Sequence, residues 1–276
     1  MSCNIRANVN LFDLTGEVAV VLGGTGVLGG AMTEGLAAAG AKVAVLGRNS
    51  ERGEARVRSI HQQSGTAEFF PGDAVKQSSL EIARETLLSR LGAPTILVNA
   101  AGGNDPRVTV SADRPFEGID LASWRENFDL NLVGGALVPC QVFGPVMKNN
   151  RKGTIINIAS VSAHLPLSRV VTYSAAKAAV LSLTLFLARE WASYNVRVNS
   201  ITPGFFPGEQ NRRLLFNEDG TATPRGQVIL GHTPLARFGK PSELVGAALF
   251  LASERASSFV TGIDLRVDGG FLSQAI

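Results

Sequence analysis

"VVLGGTGVLGGA", residues 20–31, runs from a short apolar stretch through evenly spaced glycines into an alanine-rich one. The residues before the glycines have the β-branched character of a strand, and those after them begin a helical pattern. Gly23, Gly26 and Gly29 keep a G-x-x-G-x-x-G spacing. Such glycines turn the chain sharply, let backbone approach a pyrophosphate, and allow the helix to pack closely on the strand. The helix start then offers free N–H donors and partial positive charge to phosphate. A tight turn alone would not need three glycines. Strand, glycine turn and helix at the head of a chain together predict a dinucleotide site at one end of a parallel sheet. Thr25, Val27 and Leu28, interleaved with these glycines, belong to the same expected contact surface.

Six further short apolar runs follow at α/β spacing: 42–46, 67–71, 95–100, 153–160, 196–201 and 263–267. With 17–22 they make about seven strands, most apolar throughout rather than alternating, as parallel strands covered on both faces are. Helical stretches such as "AMTEGLAAAG" and "SLEIARETLLSRL" lie between them. The expected fold is therefore α/β, a Rossmann-type doubly wound parallel sheet with helices on both faces, built as a single domain over 1–276. The least regular segment, 202–240, is rich in Pro, Gly, Phe and Arg and reads as a substrate-binding lid.

Composition narrows the function. The 276 residues carry a formal charge of only +3 with no run of Lys or Arg, so nucleic acid and membrane surfaces are not expected partners. Cys3 and Cys140 show neither disulfide nor metal spacing, which fits a cytoplasmic protein without a metal. The N-terminal stretch has no signal-peptide pattern, and no apolar run is expected to span a bilayer.

Cofactor choice is read at the end of the second strand, "VAVLGRN". An acidic residue there would bond the ribose hydroxyls and favour NAD. Here Gly47 is followed by Arg48 and Asn49, and an arginine can pair with a 2′-phosphate. NADP(H) is favoured, with NAD(H) possible; a merely solvated arginine is the competing reading. Asp73 and Ala74, after the third strand, are placed to meet the adenine, although Asp73 could equally cap the next helix.

"TYSAAKAAV", 172–180, sets Tyr173 and Lys177 four positions apart, on one helical face. A phenol with an ordinary pKa near 10 is a poor base at neutral pH, and a nearby ammonium favours its ionised form. Tyr173 could then exchange a proton with an alcohol or ketone oxygen. Ser160, at the end of "IINIAS", is a hydroxyl at a strand's carboxyl end, where open α/β sheets keep their sites. Tyr-x-x-x-Lys by itself is common and mostly structural.

The glycine loop, "VNAAG", "NLVGG", "IASVS", "YSAAK" and "ITPG" occur in the order and spacing that resemble the short-chain dehydrogenase/reductase family, from about Leu14 to Gly270. The resemblance implies Tyr173 as general acid/base, Lys177 lowering its pKa while holding the nicotinamide ribose, and Ser160 orienting the carbonyl. It also implies that Asn131 keeps a helix open for a proton-relay water. Asn99, Ala101 and Gly102 would line the cofactor, and Pro203 and Gly204 would border the nicotinamide. Four positions depart from the pattern. Leu22 and Val27 replace a threonine and a middle glycine of the single-domain members, Ala100 replaces a second asparagine, and Gly208 stands where a threonine often meets the carboxamide.

Substrate choice falls to 100–106, 161–170 and 201–215, which hold Asn104, Ser162, His164, Arg169, Gln210, Asn211, Arg212 and Arg213. Arginine forks suit carboxylates. These stretches, with "HTPLARFGKP", resemble the D-mannonate oxidoreductase (fructuronate reductase) branch, which implies a sugar acid such as D-mannonate or D-fructuronate. The competing roles for the arginines are surface cover and subunit contacts, and Phe205 and Phe206 are expected to pack the lid. Another carbonyl reductase of the same machinery, acting on a 3-oxoacyl thioester or a gluconate-type substrate, is the alternative; a non-catalytic dinucleotide sensor would be expected to lack Tyr173 or Lys177. The resemblance further implies a homotetramer, or a homodimer, assembled through helices at about 123–150 and 172–192.

Overall fold

The computed structural model describes residues 10–167, 169–208 and 211–274. Cys3 and Gln210 lie outside them. Seven parallel strands form one sheet in the order β3-β2-β1-β4-β5-β6-β7. They are β1 Val18–Leu22, β2 Lys42–Gly47, β3 Thr66–Pro71, β4 Ile96–Asn99, β5 Gly153–Ile158, β6 Val196–Pro203 and β7 Asp264–Val267. Every apolar run singled out in the sequence is a strand, with ends displaced by a few residues. β1, β4 and β6 are buried throughout, which is why their sequences do not alternate.

The chain winds outward through β1, β2 and β3, then crosses back to β4 beside β1. This reversal opens a crevice at the carboxyl ends of β1 and β4. Helices α1 (Val27–Ala38), α2 (Ser50–Gln62) and α9 (Val245–Ala252) cover one face. On the other face lie α3 (Gln77–Arg90), α5 (Val138–Asn149) and α6 (Val171–Trp191). Each face has its own buried cluster, Val21, Val43 and Leu36 on the first and Leu22, Leu97 and Phe143 on the second.

Helix α4 (Leu121–Phe128) runs into α5 through a widened π-helical stretch, Asp129–Leu137. The expectation that no helix could span a bilayer fails on length. The continuous helices Leu121–Asn149 and Val171–Tyr194 are long and apolar enough by composition. In this fold α5 and one face of α6 pack on the sheet.

The 202–240 segment is less irregular than its sequence suggests. It holds the end of β6, the short α7 (Arg212–Leu215) and α8 (Pro224–His232), and it packs by Leu215 and Ile229 on Val161 and Phe271. Phe205 stacks edge-on with Phe271 at 5.1 Å in the lid's own cluster, as expected of a lid-packing residue, whereas Phe206 is buried in the first core cluster of the sheet.

Candidate active site

At the crevice, Gly23 adopts φ +74°, and a side chain there would put its first carbon 2.7 Å from the Ala100 carbonyl oxygen. One at Gly29 would lie 2.3 Å from the Gly23 oxygen. The glycines thus let the turn, the head of α1 and the end of β4 meet without side chains. Gly26 starts α1 with no side-chain cap, so the helix presents bare first-turn N–H groups.

Gly23, Thr25, Gly26, Arg48, Asn49, Asp73, Ala74, Ala101 and Gly102 line a single cavity of about 380 Å³. The residues present fit a dinucleotide: bare amide donors for phosphates, and beyond them two arginines and an aspartate for the far end. Leu28 instead packs on the core, and Val27 turns towards the lid, where a side chain on Gly208 would come within 3.3 Å of it. Asn49 caps α2 by accepting from the Arg52 N–H at 2.9 Å. Asp73 does not cap α3, whose cap position is Lys76, so the competing role weighed for it is not taken up.

Asn99 lies beneath the cavity rather than along it, donating to Asn157 Oδ1 at 2.8 Å, with its own Oδ1 buried and unpaired. Its neighbour Cys140 is buried, and burial pushes that thiol up to about 12, which makes it unreactive.

Ser160, Tyr173 and Lys177 come together above the end of β5. The Tyr173 phenol lies close enough to Ser160 for that hydroxyl to favour its ionised form. The Lys177 ammonium sits 5.7 Å from the Tyr173 ring centroid and donates to the Ile158 carbonyl at 2.7 Å. It also lies 3.4 Å from where a side chain on Gly102 would begin, which joins this group to the cofactor cavity. One electrostatic expectation is corrected. Burial raises the Tyr173 phenol above its ordinary value, with the Ser160 hydroxyl pulling the other way. The residue as a whole is only half-buried, but its phenol is enclosed. Lys177 does not reverse the shift, because its own burial pushes it down to about 8 and part of its charge is lost near that pH.

Asn131 sits in the π-helical stretch, fully buried. Its Nδ2 donates to the carbonyl of Asn127 at 2.8 Å, an oxygen that a regular α-helix would pair with the N–H of residue 131. The side chain also accepts from Gly103 N–H at 2.9 Å and donates to Gly103 O at 2.8 Å. So it both widens the helix and clamps the glycines that follow β4. Such widened turns recur at functional sites.

Several residues expected to meet substrate are engaged with other parts of the chain. His164 faces Asp264 and Thr202. Asn211 is spent inside the lid, on Gly208 N–H and the Phe206 carbonyl, while Arg212 stacks on Phe216 at 5.5 Å. Arg213 is exposed. Ser162 is buried and bonds Ser160, and Asn104 bonds Thr109 while lining the cofactor cavity. Pro203 ends β6, and Gly204 packs on Asp268. Arg169, held at φ +77°, meets no carboxylate among the described residues.

Sequence reasoning missed Arg52, Gly103, Asn127 and Arg225. Arg52, in the first turn of α2 and four residues after Arg48, shares its cavity, so a second arginine at the head of that helix was a usable signal. Arg225, in the first turn of α8, is brought near Arg169, and burial and that charge both push it down. Nothing local in the sequence announces this pairing.

A parallel sheet with a glycine-lined crevice, beside a phenol, a hydroxyl and an ammonium, defines a nucleotide-dependent oxidoreductase. A family model described as "Enoyl-(Acyl carrier protein) reductase" matches residues 25–272. The chain belongs to the short-chain dehydrogenase/reductase family of oxidoreductases. It is 42% identical over 269 residues to an oxidoreductase of Bacillus subtilis named UxuB, covering 95% of this chain and 96% of that one. Among solved structures, it resembles a Haemophilus influenzae protein provisionally named a D-mannonate oxidoreductase, holding NAD, at a TM-score of 0.90 and 35% identity, with 95% and 97% of the two chains covered. It also resembles the gluconate 5-dehydrogenase of Burkholderia cenocepacia, in complex with NADP and tartrate, at a TM-score of 0.87 and 32% identity, with coverage of 96% and 99%.

Proposed function

We propose that the chain transfers a hydride between a nicotinamide cofactor, NADP(H) in preference to NAD(H), and a secondary alcohol or ketone of a sugar acid such as D-mannonate or D-fructuronate. The observation that carries the reaction is the meeting of Ser160, Tyr173 and Lys177 within reach of Gly102 at the cofactor cavity. The bound cofactor supplies or accepts the hydride. The protein does the rest. Ser160 Oγ holds the substrate oxygen, and Tyr173 gives that oxygen its proton in the reducing direction or takes it in the oxidising one. Lys177, anchored by Ile158, keeps a positive charge beside the phenol below about pH 8. Asn131, with the opened helix, offers room for a water that returns the proton to solvent.

A carboxylated substrate is supported by Arg169 and Arg225. One stands between Ser160 and Tyr173 in sequence, the other on the lid, and neither meets an acidic side chain among the described residues. Like charges brought together in this way suit an anion. Two of the similar proteins carry sugar-acid names. The preference for NADP rests on Arg48, with Arg52 beside it, in the cofactor cavity. The proposal extends to a cytoplasmic homotetramer.

The test is turnover of purified protein with NADPH and NADH against D-fructuronate, 5-ketogluconate and an uncharged ketose. Arg225→Ala should raise KM for the acids about ten- to a hundredfold, the worth of a charged hydrogen bond, and leave the uncharged ketose unaffected. Equal rates with acid and uncharged ketose in the parent protein would defeat the sugar-acid reading.

A further inference from the structure

We propose that His164 is a positioning residue for the reaction: through Asp264 it moors the segment carrying Ser160 to the β6–β7 edge, at the root of the lid. The inference rests on the reading that Ser160 holds the reacting oxygen.

Ser160 opens a short turn, Val161–Ala163, and His164 closes it. The imidazole reaches across the end of β6, with Nε2 3.1 Å from Asp264 Oδ2 and 3.3 Å from Thr202 Oγ1. The other oxygen of Asp264 accepts from Ser200 Oγ at 2.6 Å and from Thr202 Oγ1 at 2.8 Å. Three donors from two separate parts of the chain therefore converge on one carboxylate. Ser200 and Asp264 are register partners of β6 and β7, and Ser200 and Thr202 point to one face because strand side chains alternate. Val196 and Val198, in step with them, belong to the core under α6, so the network lies on the face that carries Tyr173 and Lys177.

The chemistry sets a direction. An ionised carboxylate only accepts, so the ring nitrogen that faces it must carry a hydrogen. That bond fixes both the tautomer and the plane of the ring, as a carboxylate partner does for any working histidine. The two side chains are 22% and 20% exposed, shielded enough for the bond to outlast competition from water.

The need for a mooring is visible in the segment itself. None of the described residues between 161 and 170 belongs to a strand, and Arg169 among them is held in a left-handed conformation, φ +77°, that a side chain adopts at a cost. Thr202, in the same network, immediately precedes Pro203 and Gly204, where the lid leaves the sheet. One carboxylate thus holds the catalytic serine's loop and the lid's root in fixed relation. Loss of the histidine bond would let Ser160 drift from Tyr173 without disturbing the nucleotide cavity, none of whose lining residues take part.

The experiment uses the intact chain. His164→Leu and Asp264→Asn are each compared with the parent and with His164→Gln, whose amide N–H can occupy the place of Nε2–H. Amide hydrogen exchange over 161–170 reads the mooring without reference to any substrate, and NADPH and NADH titrations read the cofactor site. We expect exchange in that segment to rise at least tenfold in the Leu and Asn variants, with cofactor affinity unchanged. With whichever carbonyl the parent reduces, kcat should fall about tenfold and KM much less. His164→Gln should recover most of both losses, and the double variant should be no worse than either single one. Unchanged exchange in 161–170, or a Gln variant no better than Leu, would overturn the proposal. So would a loss confined to melting temperature with kcat intact. A parent protein that turns over no sugar acid would refute the proposed substrate, whereas the exchange result would still decide the mooring.

Discussion

Tyr173 holds its proton more tightly than a free phenol, because burial outweighs the pull of the Ser160 hydroxyl. It is therefore a proton donor first, and it becomes a base only when positive charge gathers beside it. Tyr173→Phe keeps the ring and loses the proton, so kcat should fall about 10² to 10⁴-fold while cofactor affinity, measured by nucleotide fluorescence, stays near that of the parent. Lys177 makes a second prediction. Burial lowers it from 10.5 to about 8, so between those values the unfolded chain holds a proton that the folded one has released. Stability must then rise with pH across that window, by up to roughly 3 kcal/mol from this residue alone. Denaturant unfolding of Lys177→Met should lack that rise; an identical pH slope in both proteins would refute the shift. These two residues were legible in the sequence as a pair. The sign of the phenol's shift was not, since four-residue spacing reports proximity and says nothing of how much water each group loses.

At the scale of elements, the glycine turn and the head of α1 depend on one close approach. A methyl at Gly29 would stand 2.3 Å from the Gly23 carbonyl oxygen, a backbone atom with nowhere to go. Gly29→Ala should cost about 1–3 kcal/mol of stability, the usual range for overpacking, and weaken dinucleotide binding at least tenfold by displacing the turn. Thermal unfolding and cofactor titration check both parts. The widened helix is a contrasting case. Nothing in "NFDLNLVGG" distinguishes a π-helical stretch from an ordinary helix, because the cause is a side-chain bond from Asn131 to a carbonyl one turn back and to Gly103 on another strand's loop. Likewise Asn211 and Arg212 look like ligand-binding residues in a polar lid. They prove to hold the lid together, since a short helix without a sheet beneath it must satisfy its own backbone.

For the whole molecule, helix α6 carries Leu185 and Phe186 at 60% and 59% exposure on the side away from the sheet. Adjacent exposed apolar side chains of this size suit contact with a second copy, in keeping with the proposed tetramer. Phe186→Glu should shift the protein to smaller species in size-exclusion chromatography with light scattering; an unchanged mass would move the interface elsewhere.

The sequence by itself determined the strand set, the parallel sheet and the cofactor end of the crevice, because those follow from local patterns: unbroken apolar runs, glycine spacing, and a tyrosine and lysine one turn apart. Only the tertiary structure decided which polar side chains reach the reacting groups. Arg225 is brought towards Arg169 and His164 to Asp264 by chain segments distant in sequence, and contacts of that kind leave no periodic trace. Burial likewise belongs to the folded whole, and here it set the direction in which both catalytic protons are held.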